Sequence, residues 1–158
     1  MQNDSRPARK IKERRTYSSG QSRTSPASNS EHTILFAEDN GQVQKLVAAL
    51  LKTLGYRVIT ASDGRDALQK AREFDGTIHL LLSDIEMPGM TGIELAIQLN
   101  QERPDTKILL ISGLATGMLV LNSGWQFLPK PFVSEMLRDR IRDFLSEQPP
   151  IKAHLPDA

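Results

Sequence analysis

Between residues 33 and 147 the sequence switches back and forth between two hydrophobic periods, and that alternation restricts the fold more than any other feature. Thr33–Ala37, Arg57–Ala61, Ile78–Ser83 and Lys107–Ser112 are runs of strand length, and Phe127 and Leu128 open a shorter one. The segments between and after them carry apolar residues three and four apart, as amphipathic helices do. These are Val43, Leu46, Val47, Leu50, Leu51 and Leu54; then Ala67, Leu68, Ala71 and Phe74; then Ile93, Ala96, Ile97 and Leu99. Val133, Met136, Leu137, Ile141, Phe144 and Leu145 trace the stripe of a last helix. Punctuation agrees: Asn40 and Asp63-Gly64 are cap and turn signals, Gly55 and Pro104 stop helices, and Pro88-Gly89 breaks the chain. Strands separated by helices through short connections predict an α/β fold, a five-stranded parallel sheet with helices on both faces. The run Ile78–Ser83, apolar but for His79 and Ser83, suits a central strand covered on both sides.

Composition divides the chain. The first 30 residues hold seven basic and two acidic side chains, six of the basic ones between Arg6 and Arg15, followed by a serine-rich stretch. Apolar residues are too sparse there to offset chain entropy, so residues 1–31 are expected to form a disordered basic tail. Residues 32–147 are expected to form the ordered domain and 148–158, after Pro149-Pro150, a short C-terminal tail. The basic tail could contact nucleic acid, but it has no groove-reading motif and reads more simply as a solvated leader. The 158-residue chain has no cysteine, which excludes disulfides, thiolate catalysis and cysteine-ligated metals. His32, His79 and His154 lack the close spacing of a metal site. The longest apolar run, Leu46–Leu51, is too short to span a membrane, and no apolar segment follows the basic start, so a cytoplasmic protein is expected.

In a parallel sheet the reactive edge lies at the carboxyl ends of the strands. The first strand ends in Glu38-Asp39, the third in Asp84, the fourth in Ser112 and the fifth in Lys130. Two unit charges about 5 Å apart near a surface repel by roughly 3 kcal/mol, so three carboxylates there require cations. Lys130 supplies one. A magnesium ion, held by oxygens and several waters, suits the remainder. Each group alone has an ordinary account: acids near a helix N-terminus, an aspartate in a Pro-Gly turn, a surface lysine. Their convergence from four strand ends is what those accounts do not cover.

The stretches Ile34–Asn40, Leu80–Gly92, Leu109–Gly113 and Phe127–Phe132 resemble, in order and spacing, the receiver domain of two-component response regulators. The resemblance covers residues 32–147 and implies a flavodoxin-like fold with strand order 2-1-3-4-5. It implies that Asp84 accepts a phosphoryl group and that Glu38, Asp39, Asp84 and the backbone carbonyl of Glu86 hold Mg2+. Lys130 would contact the phosphoryl group, Ser112 would be the switch hydroxyl and Phe127 the switch aromatic. The donor implied is a histidine kinase or a histidine phosphotransfer protein. The response would be a change at the face of the fourth helix, fifth strand and fifth helix, read by a downstream protein. The Lys130-Pro131 bond is expected to be cis, as it is in this family. Two departures stand out. The segment from Ser112 to Lys130 is short and holds three glycines, which predicts an abbreviated fourth helix; and Glu86 is acidic close to where water would attack. Gly113, beside Ser112, should leave the site open to a kinase or a small phosphodonor.

Other functions remain to be weighed. A receiver-like interaction module that has lost phosphorylation would need a damaged acidic pocket. A haloacid-dehalogenase-type phosphatase would carry Asp-x-Asp after its first strand, whereas Asp84-Ile85-Glu86 follows the third. The chain leaves no room for an added DNA-binding or catalytic output domain, so a stand-alone phosphoacceptor that is not a conventional enzyme is expected.

Overall fold

The structure, a computed structural model, describes residues 31–113 and 124–147. The expectations for the tails and for the helix between the fourth and fifth strands fall outside those residues. The elements are β1 (Thr33–Ala37), α1 (Gly41–Thr53), β2 (Arg57–Ala61), α2 (Gly64–Glu73), β3 (Leu80–Asp84), α3 (Gly92–Glu102), β4 (Lys107–Ser112), β5 (Gln126–Pro129) and α4 (Ser134–Ser146). α4 is the last helix among the described residues and corresponds to the fifth in the sequence reading.

Local chemistry fixes the helix starts. Asn40 accepts hydrogen bonds from the amides of Gln42 and Val43 through its side chain, Asp63 accepts from Asp66, and Thr91 forms a reciprocal capping box with Glu94. The strands lie in the order β2-β1-β3-β4-β5, with every adjacent pair parallel. Alternate residues point to opposite faces, which makes two cores. On one face Leu35, Ala37, Leu81, Ile108 and Leu110 pack under α2 and α3; on the other Ile34, Phe36, Leu80, Leu82, Leu109 and Ile111 pack under α1 and α4. β3 sends leucines into both, as its apolar run predicted.

Four expectations need correction. β3 starts at Leu80 rather than Ile78, because the Ile78 carbonyl is taken by the Thr106 hydroxyl, 2.8 Å away, instead of by a neighbouring strand. The buried face of α1 centres on Val47, Ala48 and Leu51, which leaves Leu46 at 74% exposure. Likewise α4 buries Leu137, Ile141 and Phe144 but exposes Val133 and Met136, and α3 buries Leu95, Ala96 and Leu99 but exposes Ile97. Spacing of three and four admits residues on the flanks of a stripe, and contact with the sheet selects its centre.

Opposite the strand ends that carry the acids, His32 and His79 meet edge to face, with ring centroids 4.9 Å apart. The His79 Nδ1 accepts the Thr33 amide at 3.0 Å, and desolvation, then the neighbouring His32, hold its pKa below the usual value. A base with a depressed folded-state pKa contributes stability above its unfolded value, near 6.5, and that contribution disappears as pH falls below it. Urea midpoints should therefore decrease from about pH 7.5 to about pH 5.5. His79→Asn, which keeps an acceptor at that position but takes up no proton, should flatten part of the slope; an unchanged slope would contradict the assignment.

Candidate functional site

Strand order reverses between β1 and β3, since the chain leaves β1 toward one edge of the sheet and β3 toward the other. Connections diverge there and open a crevice at the carboxyl ends of the two strands. Glu38 and Asp39 enter it from the end of β1 and Asp84 from the end of β3. One oxygen of each carboxylate lies within 4.8 Å of the others. Glu38 and Asp84 are buried, at 3% and 4% exposure, while Asp39 is exposed.

Each buried acid is held by donors. Asp84 accepts the Glu86 amide at Oδ1, 3.0 Å, and the Lys130 ammonium at Oδ2, 2.8 Å. Glu38 accepts the Asn40 amide at Oε1, 3.1 Å. Lys130 is placed by the end of β5: its amide donates to the Ser112 carbonyl at 2.8 Å, and its bond to Pro131 is cis, as the resemblance implied. Ser112 closes β4 opposite Pro129 and is 1% exposed. Phe127 sits opposite Leu110 on β5, partly buried against the core beneath α2 and α3. All the residues singled out from the sequence are thus brought to one edge, except Phe127, which lies deeper on β5.

Charge at the site is not balanced. Burial raises the Glu38 pKa above the carboxylate norm, and the charges of Asp84 and Asp39 add to the rise against the opposing Asn40 bond and Lys130 charge. Burial would depress the Lys130 ammonium, but its hydrogen bond to Asp84 and the charges of Asp84, Glu38 and Glu86 outweigh it and raise its pKa. A cluster of three acids with one ammonium, presenting oxygen donors alone, fits a hard dication.

Close packing fixes the loop after Asp84. Gly92 donates to the Ile85 carbonyl at 3.0 Å, and a Cβ on Gly92 would stand 2.2 Å from the Asp84 carbonyl oxygen. Backbone cannot yield as a flexible side chain does. Gly92→Ala should lower stability by about 1–3 kcal/mol in a urea titration and slow any reaction at Asp84; a variant as stable as the native chain would show that the loop has slack.

One contributor was not singled out from the sequence. Gln44, in the first turn of α1, donates through Nε2 to the Glu38 carbonyl at 3.1 Å and to the Ala61 carbonyl at 2.7 Å. A glutamine in an amphipathic helix carries no sequence signal of that use.

The family model described as "Response regulator receiver domain" matches residues 34–142. The chain belongs to the response regulator receiver family. It is 35% identical over 118 residues to the response regulator receiver protein CpdR of Brucella abortus, covering 72% of this chain and 91% of CpdR. It is 32% identical over 120 residues to the sensor kinase CckA of the same organism, 73% of this chain but only 13% of CckA. The protein TrrA of Thermotoga maritima, solved with Mg(2+)-BeF, has a TM-score of 0.64 and 28% identity, covering 72% of this chain and 98% of that one. A TrrA structure in complex with the histidine kinase ThkA gives a TM-score of 0.64 and 29% identity, covering 73% and 99%. Fold and strand order are those of this family, and the function is that of a two-component receiver. The intact pocket does not favour a module that has lost phosphorylation. Asp84 at the end of the third strand does not match the placement expected of a haloacid-dehalogenase-type phosphatase. Among the described residues no helix is long and apolar enough to cross a membrane.

Proposed function

We propose that residues 32–147 form a phosphoacceptor domain in which Asp84 takes a phosphoryl group from a phosphohistidine. The observation that carries this reading is the meeting of three carboxylates within 4.8 Å, one of them bonded to a lysine. Glu38, Asp39, Asp84 and the Glu86 carbonyl would hold Mg2+, which when bound neutralises the acids and draws charge from the phosphoryl oxygens. In the transfer an Asp84 carboxylate oxygen bonds to phosphorus as the P–N bond breaks, and the bonding pair returns to the imidazole nitrogen. Lys130 covers a phosphoryl oxygen as it gains charge. A carboxylate is a weak nucleophile, so alignment and charge stabilisation supply the rate. Later attack by water on phosphorus returns Asp84 to its carboxylate and releases inorganic phosphate. The domain promotes only these two steps on itself and has no separate substrate to turn over.

A protein donor is supported by the surface around the site. Helix N-termini in a parallel sheet lie at the carboxyl edge of the strands, and the exposed apolar residues Val43 of α1 and Val133 and Met136 at the start of α4 lie at those ends, with Leu46 about one turn further along α1. Exposed apolar groups beside a charged crevice suit an apolar helical surface that carries a histidine, that of a histidine kinase or a histidine phosphotransfer protein. The proposed setting is the cytoplasm, where ATP feeds such donors. The signal would run through Ser112, drawn toward phosphorylated Asp84 by a charge-assisted hydrogen bond, and Phe127, which would fill the vacated space. The surface near β5 and α4 would then change for a downstream protein.

Labelled acetyl phosphate with MgCl2 tests the chemistry. The label should be released by hydroxylamine, as an acyl phosphate is, and should not appear when EDTA is present. Label resistant to hydroxylamine would place the phosphate on a hydroxyl and reject the reading.

A further inference from the structure

We propose that Gln44 is a positioning residue for the acidic site, resting on the metal-binding role given above to Glu38, Asp39 and Asp84. Its primary amide spans the carboxyl ends of β1 and β2. One nitrogen donates to the Glu38 carbonyl at 3.1 Å and to the Ala61 carbonyl at 2.7 Å. The Ala61 carbonyl also accepts the Glu38 amide, at 3.1 Å. β1 and β2 are therefore closed at their last residues by a backbone hydrogen bond and by a side chain arriving from α1.

The consequence reaches Asp39 through the peptide plane. The Glu38 carbonyl belongs to the peptide that carries the Asp39 nitrogen, so fixing that oxygen fixes the plane from which Asp39 departs. The Glu38 side chain has its own anchor, the Asn40 amide. The Asp39 side chain, by contrast, is exposed. Asp39 thus lies in reach of the other two acids because of how its backbone is held, and Gln44 holds it. A side chain that fixes the backbone of a metal ligand acts as the hydrogen-bond partners of ligating side chains do, and removing such partners commonly weakens metal binding 10–100-fold.

The test is a calorimetric titration of MgCl2 into the full chain. Gln44→Leu keeps the side-chain bulk and removes both donors, and its Mg2+ dissociation constant should rise about tenfold. Gln44→Lys restores a donor that can reach both carbonyls and should recover most of the affinity. Ala48→Gly, in the same helix, supplies a control that is destabilised without touching the acid loop, and it should bind as the native chain does. Native affinity in Gln44→Leu, or an equal loss in Gln44→Leu and Ala48→Gly, would overturn the positioning role while leaving the metal site in place. No Mg2+ binding by the native chain would overturn both.

Discussion

Asp84→Asn is expected to abolish formation of the acyl phosphate and to leave the fold intact. An amide nitrogen or oxygen at that position cannot bond to phosphorus to give a stable acyl phosphate, so the expected loss is complete. The change is conservative in shape at a residue only 4% exposed, and the last pairing of β3, Asp84 with Ile111, is made by backbone. Glu38, held neutral to a higher pH by burial and by the Asp84 charge, gains from the loss of a negative neighbour. Phosphate-affinity electrophoresis reads the loss, and far-ultraviolet circular dichroism with a urea titration reads the fold. A variant that still shifts on the gel would mean that another residue accepts the phosphoryl group.

Lys130→Met should slow phosphorylation about a hundredfold, the usual loss when one donor to a developing oxyanion is removed. The ammonium stands 2.8 Å from Asp84 Oδ2 with the acidic residues around it, and its raised pKa keeps it charged throughout the neutral range. Methionine has similar length and no charge. The same substitution removes a cation that competes for the acids, so Mg2+ should bind more tightly. Slower transfer together with tighter metal binding distinguishes loss of charge stabilisation from damage to the pocket; slower transfer with weaker binding would indicate that Lys130 mainly holds the loops in place.

Much of this site could be read from the chain because its parts sit in local patterns. Glu38, Asp39, Asp84 and Ser112 each end an apolar run, and a strand end is a sequence feature, so their convergence followed once a parallel sheet was inferred. The order that puts β1 beside β3, and so sets Glu38 against Asp84, rested on the family resemblance, since periodicity says nothing about which strands are neighbours. Leu46, Val133 and Met136 were misplaced because spacing marks a stripe without its centre, which depends on where the helix meets the sheet. Ile78 looked like strand and is apolar enough to be one; a hydroxyl 28 residues away takes its carbonyl. Gln44 was the least legible. Its role arises only where the ends of β1 and β2 meet the first turn of α1, and no local pattern records that meeting.

On the proposed reading, carboxylates from β1 and β3 assemble a magnesium-dependent phosphoacceptor at Asp84. Intact mass of the chain after incubation with acetyl phosphate, with and without MgCl2, alongside Asp84→Asn, tests it most directly. The expected result is the mass of one added phosphoryl group, present only with magnesium and only when residue 84 is aspartate. An increment that survives either change, or none under any condition, would contradict it.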